Sequence, residues 1–267
     1  MMASPSEDPR PFGALTAPLR LLLHATALYS SYFAFTHLGV LEQLLDSIIP
    51  DLFGGQSQFL TMNGLGATTA TFAVALLRDL VPSLPLGWLK TALLSASLPY
   101  EFLITLLYWG LRLYDPSLVV PPKTIYDPAD PGQVLRVENV PIPLAIDASL
   151  HGFPGLFLLI EYLAFSRARG GGSSDRHGNG DRGRKTRLAW CVAAGLAYVA
   201  WSEYCASING HRAYPLLEAL SAPQRLVLYS GCLAIVLAAS VALEKVHDAL
   251  HGHARGPTVQ SGGKKRA

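Results

Sequence analysis

Runs of about 20 apolar residues recur along this chain, and nothing in it constrains the fold more. A helical run of that length matches the hydrocarbon thickness of a bilayer. Six windows qualify: residues 19–40, 58–81, 86–111, 144–165, 188–208 and 226–246. Half of all residues are hydrophobic, only 15% are charged, and the mean hydropathy is +0.29. Such a composition excludes a soluble globular enzyme and a nucleic-acid binder. The expectation is an all-α polytopic membrane protein, a bundle of six transmembrane helices spanning residues 18–246. A polar tail (1–17) precedes the bundle and a basic tail (247–267) follows it. With no cleavable leader ahead of it, the first span is expected to serve as its own uncleaved signal.

Charge placement orients the bundle. Cytoplasmic flanks collect Lys and Arg. With the N-terminus inside, sixteen of the 21 basic residues fall on the inner side. Only Arg112, Lys123, Arg136, Arg212 and Arg225 fall outside. An even number of spans then places both termini in the cytosol. The stretch 167–187 contains GGGSSDRHGNGDRGRK, which reads as a disordered basic cytosolic linker. The 112–143 connection lies on the outer or lumenal side. Cys191, Cys205 and Cys232 form no CxxC pair and read as small buried hydrophobes.

Polar residues inside the apolar windows are the candidates for chemistry. Asp147 and His151 stand four residues apart at the start of the fourth window, which places both side chains on one helix face. Two readings apply: a functional carboxylate–imidazole pair, or an interfacial pair snorkelling to water. Thr61 enters the second window from the same side as His151 enters the fourth. The connection NGHRAYPLLEAL adds His211, Tyr214 and Glu218 there. A Thr hydroxyl becomes a nucleophile when a neutral imidazole takes its proton, and a carboxylate can fix that imidazole's tautomer. Against this, threonines in membrane helices commonly bond the carbonyl one turn back, as expected of Thr68, Thr69 and Thr71. Glu101 beside Pro99 is either a substrate- or proton-facing acid, or a protonated cap for the carbonyl that Pro99 frees. His247, His251 and His253 have metal-like spacing but read as part of a solvated tail. No Walker A, GxSxG or HExxH motif is present, and no GxGxxG follows a strand.

Taken together, these residues resemble the androgen-induced protein family of eukaryotic six-span membrane proteins. The resemblance runs from about Phe59 to Glu244. Phe59-Leu60-Thr61 is similar to the family's FLT at its nucleophile, with Asp79-Leu80 at the family spacing. Pro99, Trp109, Tyr114-Asp115 and Pro121 fit its third span and exit. His151, ten residues before Glu161, falls where the family carries its catalytic His, and Tyr214-Pro215-Leu216-Leu217-Glu218 resembles its YPFLE. Members carry Asn one turn before that His, where this chain has Asp147.

The resemblance implies a threonine hydrolase of fatty-acid esters of hydroxy fatty acids or a related acyl ester. Thr61 would be the nucleophile, His151 the base and Asp147 the residue orienting it. Glu101, Trp109, Tyr214 and Glu218 are the expected substrate-binding set. The oxyanion donors are sought at Tyr214 or a backbone amide near Asn63. No metal or organic cofactor is needed, the partner is a membrane lipid, and the endoplasmic reticulum membrane is preferred over the plasma membrane. Two other classes compete: a non-catalytic lipid-binding or regulatory protein, and a proton-coupled transporter using Glu101 and His151.

Overall fold

The computed structural model describes residues 16–44, 51–120, 122–130, 132–166 and 178–252. Its helices are α1 (Thr16–Thr36), α2 (Leu38–Leu44), α3 (Leu60–Leu80), α4 (Gly87–Tyr114), α5 (Leu144–His151), α6 (Phe153–Ile160), α7 (Gly178–Asn209), α8 (Pro215–Ala219) and α9 (Ala222–Gly252). Four of them, α3, α4, α7 and α9, are long and apolar enough to cross a membrane. The pair formed by α5 and the helix after it makes a fifth if counted as one bent span. The protein is a membrane protein with several apolar helices. Within the expected first span, α1 is not among the helices that meet this test, and the helix breaks at His37 before α2.

The fourth window is not a single straight helix. Its two halves are bent by 48° where Gly152 and Pro154 interrupt the ladder. Pro154 lacks an N–H and crowds the preceding turn, a standard cause of such kinks. After α6 the chain widens into a π-helical turn, Glu161–Phe165, in which the Ser166 amide reaches back to the Glu161 carbonyl at 3.0 Å. Inserted turns of this kind re-aim a side chain, and here Glu161 is turned fully inward.

Three further expectations are corrected. The 167–187 linker is not all loose chain: α7 begins at Gly178, and Arg184 and Arg187 bind the Glu244 carboxylate of α9 at 3.0 and 2.8 Å. Residues 167–177 lie outside the described residues. The supposed tail is helical through Gly252, and His247 is buried. His247 and His251 approach the carbonyls of Ser166 and Leu163 at 3.4 and 2.8 Å, at and just past the π turn, so they are packing groups rather than part of a solvated tail. His253 lies outside the described residues. Finally, among the described residues the helical bundle carries one small antiparallel hairpin in its 112–143 connection, β1 (Lys123–Tyr126) with β2 (Val134–Glu138).

Packing divides the interior into layers. Near the end that holds α2 and α5, Leu65 of α3 meets Ala34 of α1, Leu41 of α2 and Ile146 and Leu150 of α5. Deeper, Ala27, Phe72, Leu94, Leu98 and Leu158 form a second cluster. Leu103, Cys191 and Val236 join α4, α7 and α9 in a third. The three cysteines are free, and Cys191 and Cys205 are buried as expected. Leu19, Leu22, Tyr29, Leu106, Leu113, Leu196 and Val227 are exposed, as side chains facing lipid must be.

Candidate functional site

His151 closes α5 and Asp147 sits one turn before it. Their side chains meet as the i, i+4 spacing requires, with Asp147 Oδ1 2.9 Å from His151 Nδ1. Both are buried, at 0% and 7% exposure. The snorkelling reading is therefore overturned: this pair does not reach for water. The second carboxylate oxygen, Oδ2, is bound by Arg112 from the last turn of α4. Arg112 Nη1 also donates to the Tyr108 hydroxyl at 2.9 Å, and the Tyr108 ring lies parallel to the His151 imidazole, centroids 3.4 Å apart. The Trp109 indole N–H donates to the His151 carbonyl at 3.2 Å. The imidazole is thus held on three sides: by an anion at Nδ1, an aromatic face against its ring, and a hydrogen bond on its own backbone. A carboxylate at Nδ1 keeps the proton there and leaves Nε2 as the lone-pair nitrogen, the state a general base needs.

Thr61 occupies the first turn of α3, where backbone amides have no intrahelical partner. Gly54 and Gly55, at φ 85° and 47°, swing the chain into a 3₁₀ turn that leads into this helix. Tyr214, just before α8, closes its end. The Tyr214 hydroxyl accepts from the Leu60 amide at 3.0 Å and shares a hydrogen bond with the Thr61 hydroxyl. Burial pushes the Tyr214 phenol above its usual range, against the pull of the Thr61 hydroxyl, so it stays neutral. Tyr198 of α7 extends the chain of hydroxyls to the Gln58 carbonyl at 3.2 Å.

The two halves of the expected site share one end of the bundle: α8 touches the short turn Pro116–Leu118 that follows α4, and Met62, next to Thr61, packs on the cluster holding Ile146 and Leu150. No hydrogen bond joins Thr61 to His151 among the described residues. Thr61 is paired with Tyr214, and His151 with Asp147.

The other expected residues separate. Trp109 belongs to the His151 group. Glu218 is exposed and accepts from the Arg212 amide at 2.9 Å, so it structures its own loop. Glu101 is buried mid-bundle, where Thr68 donates to its Oε1 at 3.1 Å and Oε2 has no hydrogen-bond partner among the described residues. It does not cap the carbonyl freed by Pro99; that carbonyl belongs to Ser95 and is met by the Cys191 thiol at 3.9 Å. Thr69 and Thr71 bond the carbonyls of Leu65 and Ala67 as anticipated, while Thr68 does not.

Sequence reasoning missed Arg112 and Tyr108. A signal was available in α4, where Lys90, Ser97, Glu101, Thr105, Tyr108 and Arg112 recur at intervals of three, four or seven and so share one helix face. It also missed a second buried constellation at the opposite end of the bundle. There the His24 imidazole lies 2.8 Å from Asp79 and 2.9 Å from Glu161, with Arg20 on Asp79 at 2.7 Å and Lys90 on Glu161.

A UPF0641 membrane protein of Schizosaccharomyces pombe is 28% identical over 228 residues, covering 85% of this chain and 89% of that protein. No solved structure matches the chain. The FAR-17a/AIG1-like protein family matches over residues 19–248, a stretch holding Thr61, Tyr108, Arg112, Asp147, His151 and Tyr214 together. The chain belongs to the FAR-17a/AIG1-like family.

Proposed function

We propose that this protein hydrolyses a lipid ester through a covalent acyl-threonine, with Thr61 as nucleophile and His151 as base. The observation that carries the reading is the clamped imidazole: a buried His with a carboxylate on Nδ1, at the same end of the bundle as a Thr hydroxyl on a helix's first turn. Structural pairs do not need Nε2 kept as a lone pair, whereas proton abstraction does.

In this scheme Thr61 turns from Tyr214 toward His151 when substrate enters, since catalytic hydrogen bonds tighten in the substrate complex. Its hydroxyl oxygen attacks the acyl carbonyl carbon and its proton passes to His151 Nε2. The carbon–oxygen bond to the alcohol breaks, and His151 returns the proton to the departing alcohol. Water then attacks the acyl-threonine, gives its proton to His151, and releases the carboxylic acid with the Thr61 hydroxyl restored. Asp147 stabilises the imidazolium that forms twice. In this scheme the Tyr214 hydroxyl, once Thr61 has left it, donates to the oxyanion. Fatty-acid esters of hydroxy fatty acids are the substrate class to test first, with six spans, cytosolic termini and an endoplasmic reticulum location completing the proposal.

The test is labelling by an active-site-directed fluorophosphonate in detergent. Wild type should label, and Thr61→Ala and His151→Ala should each abolish labelling while remaining folded. Labelling that persists in Thr61→Ala moves the nucleophile elsewhere. Absence of labelling in folded wild type favours a second reading, proton-coupled transport, for which the unpartnered Oε2 of buried Glu101 is the specific observation. That reading expects flux abolished by Glu101→Gln and no hydrolysis product.

A further inference from the structure

A cavity of about 160 Å³ opens beside the His151 clamp, between the end of α4 and the segment 139–142 that leads into α5. Arg112 lines it. The other walls are Val119, Val120, Val140 and Ile142, with Asn139 at the polar side. Arg112 spends only one of its three nitrogens on the fold, since Nη1 takes both Asp147 and Tyr108. Its Nε and Nη2 make no hydrogen bond to the described residues, and the side chain is 29% exposed. These two atoms form one edge of the guanidinium, with parallel N–H bonds spaced to meet two oxygens of one planar anion.

We propose that this cavity holds the carboxylate head of an anionic amphiphile on the free edge of Arg112, with the start of its hydrocarbon chain against Val119, Val120 and Ile142. The size fits a head group and a few methylenes, not a whole acyl chain. The choice of carboxylate over phosphate follows from the lining: Arg112 is its one cationic side chain among the described residues, and a phosphate monoester usually gathers more positive charge and more donors. Its own charge is held in place by Asp147, so the guanidinium is presented without a rotamer search.

The inference deepens the hydrolase reading and rests on it for the placing of the ester: a substrate anchored here by a free carboxylate presents the rest of its chain to His151. The site supplies an anchor for the class already proposed as substrate, esters that keep an ionised acid at one end. Neutral esters of the same length would lack the anchor.

Binding can be read without turnover. Wild type in phosphatidylcholine nanodiscs is titrated with radiolabelled oleate at about pH 9, where the acid is ionised even at a lipid surface. Oleyl alcohol, methyl oleate and oleyl phosphate serve as competitors. Oleate should bind at least tenfold more tightly than the alcohol or the methyl ester, and more tightly than oleyl phosphate. Arg112→Gln should erase the preference. Because that variant also disturbs Asp147, Val120→Trp is run beside it: it fills the cavity with Arg112 left in place and should weaken oleate by a similar factor. Thr61→Ala should keep the full preference. A wild-type ratio near one overturns the proposal, as does a preference that survives both Arg112→Gln and Val120→Trp. Oleyl phosphate binding as well as oleate overturns the carboxylate assignment. Loss of fluorophosphonate labelling with the oleate preference intact removes the hydrolase and leaves this site standing.

Discussion

Asp147 uses its two oxygens on two different partners, Oδ1 on His151 and Oδ2 on Arg112, and sits where neither can be replaced by water. Removing one member of a buried, hydrogen-bonded charge pair costs about 3–5 kcal/mol because the other charge is stranded. Asp147→Ala should therefore lower stability by that order and abolish labelling at Thr61. Asp147→Asn should fare better: an amide oxygen can still accept from Nδ1, and the loss falls on the Arg112 contact, for about 1–3 kcal/mol. Thermal unfolding in detergent, followed with labelling of the same samples, separates the two variants. Equal damage from both would mean that the carboxylate's charge, not its hydrogen bond, holds the imidazole. At this scale the i, i+4 pair was legible, because both residues lie on one helix and the helical period does the placing. Arg112 was not, because it arrives from another helix and reads in isolation as one more basic residue flanking a span. Thr61 was legible as a candidate, but its hydroxyl partner Tyr214 comes from 153 residues further along the chain, a pairing that only the folded bundle provides.

Helix α3 shows how little room the interior leaves between elements. A Cβ at Gly64 would fall 2.6 Å from Ile104 Cδ1 and 2.7 Å from Glu101 Oε1, whereas one at Gly66 would meet nothing within 4 Å. Gly64→Val should cost about 1–3 kcal/mol or more through overpacking and push α4 away from α3. Gly66→Ala, two residues on, should be neutral or stabilising by up to about 1 kcal/mol. Paired unfolding curves check the contrast, and a tolerated Gly64→Val would deny the close approach of α3 and α4. Most helix positions were readable from apolar runs, because lipid demands long apolar helices whatever they pack against. The exceptions share a cause. The Gly-rich start of α7 reads as loose chain by propensity, yet the helix continues where Arg184 and Arg187 find Glu244 on α9. The π turn at Glu161 leaves no pattern in composition. It is held by the buried His24, Lys90 and Glu161 contacts and by His251 on the Leu163 carbonyl.

Among the described residues, the buried ion-pair clusters lie at two ends of the bundle, separated by the apolar layer of Phe72, Leu94, Leu98 and Leu158, with only Glu101 and its hydroxyl neighbours between. The inner constellation ties α1, α3, α4 and the π turn through His24, which lies between two carboxylates. His24→Ala should strand Asp79 and Glu161 and cost several kcal/mol of stability, about 3–5 by the same buried-pair reasoning, yet leave labelling at Thr61 intact below the unfolding temperature. If labelling vanished in folded His24→Ala, the two ends would be coupled and the layered view wrong. The sidedness of those ends follows from the basic residues, sixteen of which lie on the inner side if the N-terminus is cytosolic. Gln133 in the hairpin and Lys185 near the start of α7 are both exposed and are expected on opposite faces. In sealed, right-side-out vesicles, a membrane-impermeant maleimide should reach Gln133→Cys directly and Lys185→Cys only after permeabilisation. The native Cys191 and Cys205 are buried and give little background. Tags at the two termini then settle the role of α1: six spans put both tags on the inner face, whereas five put them on opposite faces. Either count leaves α4, α5 and the hairpin where they are, so the Arg112–Asp147–His151 clamp should face the outer or lumenal leaflet in both. Labelling of Gln133→Cys from the cytosolic side would invert the bundle and with it the leaflet from which substrate enters.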